Sequence, residues 1–165
     1  MVANAPDRIL LAVDGESHTK GAVCWALDLA MGLGMSLNPV HVRDPYLKQF
    51  YNEIYAQGRE EYLEHVQQCL EEKALAARSW FESIVSEVLD ARNDEPKLDW
   101  TFDVLDGDPA EQLTGHLERG GHSMLVLGRR HRTRISALRS RDLGQRLVSL
   151  DCSLPMLIVP EQNDG

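Results

Sequence analysis

The form of its apolar runs constrains this chain more than any motif. "RILLAVD" (Arg8–Asp14), "SMLVLG" (Ser123–Gly128) and "LPMLIVP" (Leu154–Pro160) are short, aliphatic and almost without polar alternation. A strand that shows one face to water alternates polar and apolar residues, whereas a strand covered on both faces does not. Doubly covered strands belong to parallel sheets, whose crossover connections are usually helices. The intervening segments have that helical spacing. Ala22, Ala26, Leu29, Ala30 and Leu33 recur at helical intervals and run out near Gly32 and Gly34, with Ser17 placed to cap the start. Tyr62, Val66, Leu70, Ala74, Ala77, Phe81, Ile84 and Val88 mark a longer helix, ended by "ARNDEPK" (Ala91–Lys97). "DLGQRLVSL" (Asp142–Leu150) marks a short one.

Two further segments read as strands. "SLNPVHV" (Ser36–Val42) carries Pro39, which removes a ladder donor, so irregularity is expected early in it. "LDWTFDVL" (Leu98–Leu105) alternates, as a strand near a sheet edge does. Asp108, Pro109 and Glu111 then supply an N-cap, a proline at the first helical position and an acid at the third. The aromatic, polar stretch from Pro45 to Gly58 reads as a loop with some helical content, a lid or a dimer contact. Five strands separated by helices predict an α/β, Rossmann-like domain spanning residues 1–165, with a doubly wound five-stranded parallel sheet. Ligands of such folds sit beyond the carboxyl ends of the strands, and there Asp14, Val42, Gly107 and Gly128 should converge.

Composition narrows the function. The chain has 165 residues and a formal net charge of -9. Seven arginines and one acid fall between Arg129 and Arg146, so this stretch carries +6 and the remainder -15. So acidic a molecule repels the DNA backbone at long range and is a poor general binder of it. RNA binding by the basic stretch is disfavoured because no aromatic is interleaved there for base stacking. No apolar run approaches the roughly 18 residues of a membrane span. The start of the chain lacks the basic and apolar regions of a signal peptide, which suggests a cytoplasmic protein. Cys24, Cys69 and Cys152 are widely separated and fit reduced core thiols. No HExxH, no GxSxG and no EF-hand spacing occurs, so neither a metal site nor a catalytic residue is expected.

Taken together, "RILLAVDGESHTKGAVCWALDLA", "LDGDPAEQL", "SMLVLGRR" and "GQRLVSLDCSLPMLIVP" resemble the universal stress protein family over nearly the whole chain. The resemblance implies a non-catalytic regulatory or protective role in the stress response. It also implies a homodimer built by the last strand, through Met156, Leu157, Ile158 and Val159. One branch of that family binds ATP with an aspartate after the first strand and a loop of Gly, two residues, Gly, nine residues, Gly, then Ser or Thr. Asp14 and Gly128 match; His131, Arg141 and Asp142 stand where the pattern has glycine, glycine and a hydroxyl.

These departures have physical weight. Glycines let backbone N–H groups face a phosphate with no side chain between. An ionised Asp142 can only accept, and at about 4 Å from a phosphate charge it would cost on the order of 4 kcal/mol at an effective dielectric near 20. Asp142 and Gln145 have the spacing of a capping box, so the carboxylate is expected to cap its own helix where a phosphate would otherwise sit. No cofactor is therefore expected. The alternative is ATP or AMP held by Arg129, Arg130 or Arg141 in place of the glycine contacts. A third reading makes Arg130, Arg132, Arg134 and Arg139 a docking patch for an acidic or phosphorylated partner. The plainest is a solvated loop whose cations pair with the acidic remainder.

Overall fold

A computed structural model of the chain describes residues 8–44, 60–92, 97–129, 143–150 and 152–161. Five strands, β1 (Arg8–Ala12), β2 (Ser36–Arg43), β3 (Asp103–Asp106), β4 (Met124–Arg129) and β5 (Met156–Pro160), form one sheet in the order β3-β2-β1-β4-β5. Every pairing is parallel. Helices α1 (Lys20–Leu33), α2 (Glu60–Asp90), α3 (Pro109–Arg119) and α4 (Leu143–Ser149) supply the crossovers. The expected doubly wound α/β architecture is the one observed. The 45–58 segment and Asp142, expected as a helix cap, lie outside the described residues.

The non-alternating runs have the two-faced burial that they imply. Along β1, Ile9 and Leu11 enter the apolar layer shared with α1 and α2, while Leu10 enters the layer shared with α3 and α4. All three are fully buried. On α2, Val66, Leu70, Ala74, Ala77, Phe81 and Ile84 face the core as their spacing requires. Phe81 is the largest buried side chain there, with the rings of Trp100 and Phe102 centred 5.2 Å and 6.0 Å from it.

Proline 39 acts differently from the sequence expectation. β2 is continuous, and Pro39 pairs with Leu11 of β1 in an unbroken register. The interruption falls on the other side. Leu37 takes its two backbone bonds from the β3 side, donating to Asp99 O (2.9 Å) and accepting from Thr101 N (3.1 Å). Backbone polar groups two residues apart point the same way, so residue 39 would donate next to Thr101 O. Proline cannot donate. The side-chain amide of Asn38 does so instead, at 2.6 Å. The ladder resumes only at Val40↔Asp103, which is why β3 spans Asp103–Asp106 and not the expected Leu98–Leu105.

The helix after β1 also starts differently. Ser17 opens a short 3-10 turn (Ser17–Thr19), and α1 begins after Thr19 with no side-chain cap. Asp108, by contrast, caps α3 as expected, its side chain accepting from Glu111 N at 3.1 Å with Pro109 in the first turn.

Candidate functional site

The winding of the chain reverses at β1, which lies between β2 and β4. Beyond the carboxyl ends of these strands is a crevice of about 160 Å³. Asp14, Val42 and Gly128 line it, as expected, together with Thr19, His41 and Leu143. Gly107 is not in its wall. It lies past β3 and donates its N–H to Arg43 O at 3.1 Å. The corner is closed by the Arg43 guanidinium, which grips both oxygens of Asp106 at 2.6 and 2.7 Å. The hydrogen bonds that Arg43 donates to Asp106 raise the Arg43 pKa above its ordinary value.

Asp14 organises the crevice floor. Its Oδ1 accepts from Glu16 N at 2.8 Å and lies 3.0 Å from Thr19 Oγ1. The Thr19 hydroxyl has one proton for two acceptors, Asp14 Oδ1 and, at 2.8 Å, Glu16 O. The other carboxylate oxygen, Oδ2, lies 3.1 Å from His18 Nε2. The carboxylate is thus engaged on both oxygens by its own loop. His41 also lines the crevice and donates from Nδ1 to Val13 O, 2.9 Å away; since a carbonyl only accepts, Nδ1 carries the proton.

Gly128 has a packing reason for lacking a side chain. A Cβ there would lie 3.0 Å from Thr19 Cγ2 and 3.1 Å from Thr19 Cα. The residue lets the 3-10 turn rest on the end of β4.

Arg129 sits apart from the crevice. It lines a second, wider hollow of about 640 Å³ with Gly144, Gln145, Val148, Ile158 and Pro160. This hollow opens on β5, an edge strand. Ile158 and Val148 are both exposed there, Ile158 at 38%. Of the strand's other residues, Val159 is buried, while Met156 and Leu157 are half-buried. His131, Arg141 and the docking-patch residues Arg130, Arg132, Arg134 and Arg139 lie outside the described residues.

Sequence reading missed Thr19 and His41 as crevice residues, and His18 as a partner of Asp14. His41 adjoins Val42 at the end of an apolar strand, which was the one available signal. Also unforeseen is the ion pair of Arg146 Nη2 with Asp108 Oδ2, 2.6 Å, which ties α4 to the start of α3. Among the described residues no cluster of His, Cys, Asp or Glu is suited to a metal ion. None of the described helices is long and apolar enough to cross a membrane.

Comparison with known proteins agrees with this geometry. The stress response protein NhaX of Bacillus subtilis is 27% identical over 162 residues, covering 93% of this chain and 97% of that protein. Among solved structures, the universal stress protein UspA of Lactobacillus plantarum superposes with a TM-score of 0.67 at 14% identity, over 95% of this chain and 99% of that one. A universal stress protein solved in complex with cAMP gives 0.57 at 16% identity, over 95% and 98%. Residues 6–160 match the universal stress protein family as a whole. With its fold, its strand-end crevice and that match over nearly its full length, the chain belongs to the universal stress protein family.

Proposed function

We propose that this protein is a non-catalytic, cytoplasmic member of the stress response, regulatory or protective in role, whose strand-end crevice is held by its own side chains and not by a nucleotide. The observation that carries this reading is the engagement of Asp14. Glu16 N, the Thr19 hydroxyl and His18 Nε2 already occupy its two oxygens. A nucleotide that used this carboxylate would have to compete with them. The size of the crevice argues the same way: small-molecule sites run from about 300 Å³ upward, and this one is about 160 Å³. The replacement of loop glycines by His131, Arg141 and Asp142 adds a chemical reason.

The protein acts as a homodimer in this reading. β5 carries an exposed isoleucine on an open sheet edge, beside exposed Val148. Edge strands of this kind are normally covered or paired.

A second reading is favoured by the relative solved with cAMP. In it the crevice takes an adenine nucleotide and signals its presence. Thermal melting separates the two. A ligand at 100 times its dissociation constant adds about 2.7 kcal/mol of stability. With millimolar Mg-ATP, AMP or cAMP in turn we expect an unchanged melting temperature; a rise with any of them supports the second reading.

A further inference from the structure

At the opposite, amino-terminal end of the sheet lies a buried polar cluster remote from the crevice. Its centre is Asn38, fully buried on β2. Its Nδ2 donates to Thr101 O at 2.6 Å and to Asp103 Oδ2 at 2.9 Å. Both are acceptors, so the orientation of the amide is fixed and Oδ1 points the other way. Oδ1 receives His116 Nε2 at 2.9 Å and His122 Nε2 at 2.8 Å. An amide oxygen only accepts, so both imidazoles carry a proton on Nε2. The neutral form of each ring then has a bare Nδ1.

For His122 that bare nitrogen is buried and has no hydrogen-bond partner. The residue is 3% exposed. The ring packs against the last turn of α3, and a side chain added at Gly120 would lie 2.7 Å from His122 Nδ1 and 2.8 Å from His116 O. A second proton on this ring would introduce a charge into the interior of the cluster. The groups facing His122 are Arg8 at the start of β1 and His116 on α3, both opposing that charge, and the backbone carbonyls of Leu117 and His116, which favour it. Asp103, 3.4 Å from His116 Nε2, is the acid of the cluster.

Asn38 also bridges the gap that Pro39 leaves in the β2–β3 ladder. We propose that the His116–Asn38–His122 cluster is a proton-operated latch on the β3 edge: uptake of a proton at His122 Nδ1 opens the 97–103 segment. Opening would lift Trp100 and Phe102 from Phe81 and uncover apolar surface under acid conditions. The direction agrees with the ring's environment, since burial first, then Arg8 and His116, lower the His122 pKa to about 4. The open form, with an ordinary imidazole near 6.5, takes up the proton at higher pH.

The test is amide hydrogen exchange of the full chain, corrected for intrinsic rates, at Leu37 and Thr101. From pH 7 to pH 5 we expect protection there to fall about 20-fold, as one proton bound preferentially to the open form requires. The fall should vanish in His122→Leu. Unchanged protection in the native chain, or an equal fall in the variant, overturns the latch. Should His122→Leu not fold, the native ring is followed by NMR. A ring titrating at low pH in step with loss of the two amides supports the latch, and amides that stay protected while the ring titrates overturn it.

Discussion

The Arg146 guanidinium meets the Asp108 carboxylate at 2.6 Å, and that same carboxylate caps α3 through Glu111 N. One side chain thus joins the start of one helix to the side of another. Burial pushes the Asp108 carboxyl up, but the hydrogen bonds from Arg146 and Glu111 outweigh it and hold the group below its ordinary pKa. Asp108→Ala removes a cap worth about 1 kcal/mol and, with it, a partly exposed ion pair worth up to about 1 kcal/mol. Arg146→Ala removes only the pair. Urea melts of both and of the double variant should show Asp108→Ala as the costlier change, with a coupling energy below about 1 kcal/mol.

The proline interruption of β2 makes a more unusual prediction. Asn38→Ala leaves Thr101 O without its donor, and the buried His122 and half-buried His116 without their acceptor, a loss of about 3 kcal/mol. Pro39→Ala restores a backbone N–H aimed at Thr101 O. The double variant Asn38→Ala/Pro39→Ala should therefore be more stable than Asn38→Ala alone in equilibrium denaturation. Simple additivity of the two changes would contradict the backbone register described for residue 39.

Gly128→Ala should destabilise the protein whether or not any nucleotide binds. The new methyl meets Thr19 at 3.0 to 3.1 Å, so the 3-10 turn must move off β4, at about 1–3 kcal/mol. Thr19→Ser in the same background removes the closest atom, Cγ2, and should recover part of the loss. The glycine at a strand end is thereby tested as a packing residue, separately from any role toward phosphate.

Acid stability follows from His122. Its folded pKa, lowered to about 4, lies below the ordinary imidazole value, so the folded state binds fewer protons than the unfolded one between pH 6.5 and 4. The stability contribution is complete above pH 6.5 and is lost as pH falls toward 4, by about 3 kcal/mol in all. Comparing urea melts of the native chain and His122→Leu cancels the carboxylate contributions. The difference between them should shift by that amount across the window and stay flat from pH 7 to 8.

The dimer is tested at β5. Ile158→Lys puts a charge on an exposed edge position. Sedimentation should show monomers for this variant and dimers for the native chain. Dimers in both would remove the last strand from the interface.

Much of the fold could be read from residue pattern alone because its determinants are local. The unalternating strands, the helical spacing on α2 and the Asp108–Pro109 cap each declare themselves within a few residues. What was not legible depends on residues far apart in the chain. Asn38 stands 78 and 84 positions from the two histidines that it joins. Nothing in "SLNPVHV" announces that a side chain will replace the donor that its neighbouring proline lacks. Ser17 looked like a helix cap because it is the right residue type at the right distance, but Asp14 outcompetes it by ordering the turn through Glu16 N and Thr19. At the crevice, the sequence pointed correctly to Asp14, Val42 and Gly128, since strand ends in a parallel sheet must converge. The histidines beside them were invisible without the third dimension.

Whether the crevice is nucleotide-free can be asked most directly by titrating Mg-ATP into the purified protein in a calorimeter. Because Asp14 is already engaged and the loop glycines are replaced, we expect only heats of dilution up to millimolar nucleotide. A saturable heat with a dissociation constant below about 100 µM, equivalent to more than about 5 kcal/mol of binding free energy, would contradict that reading.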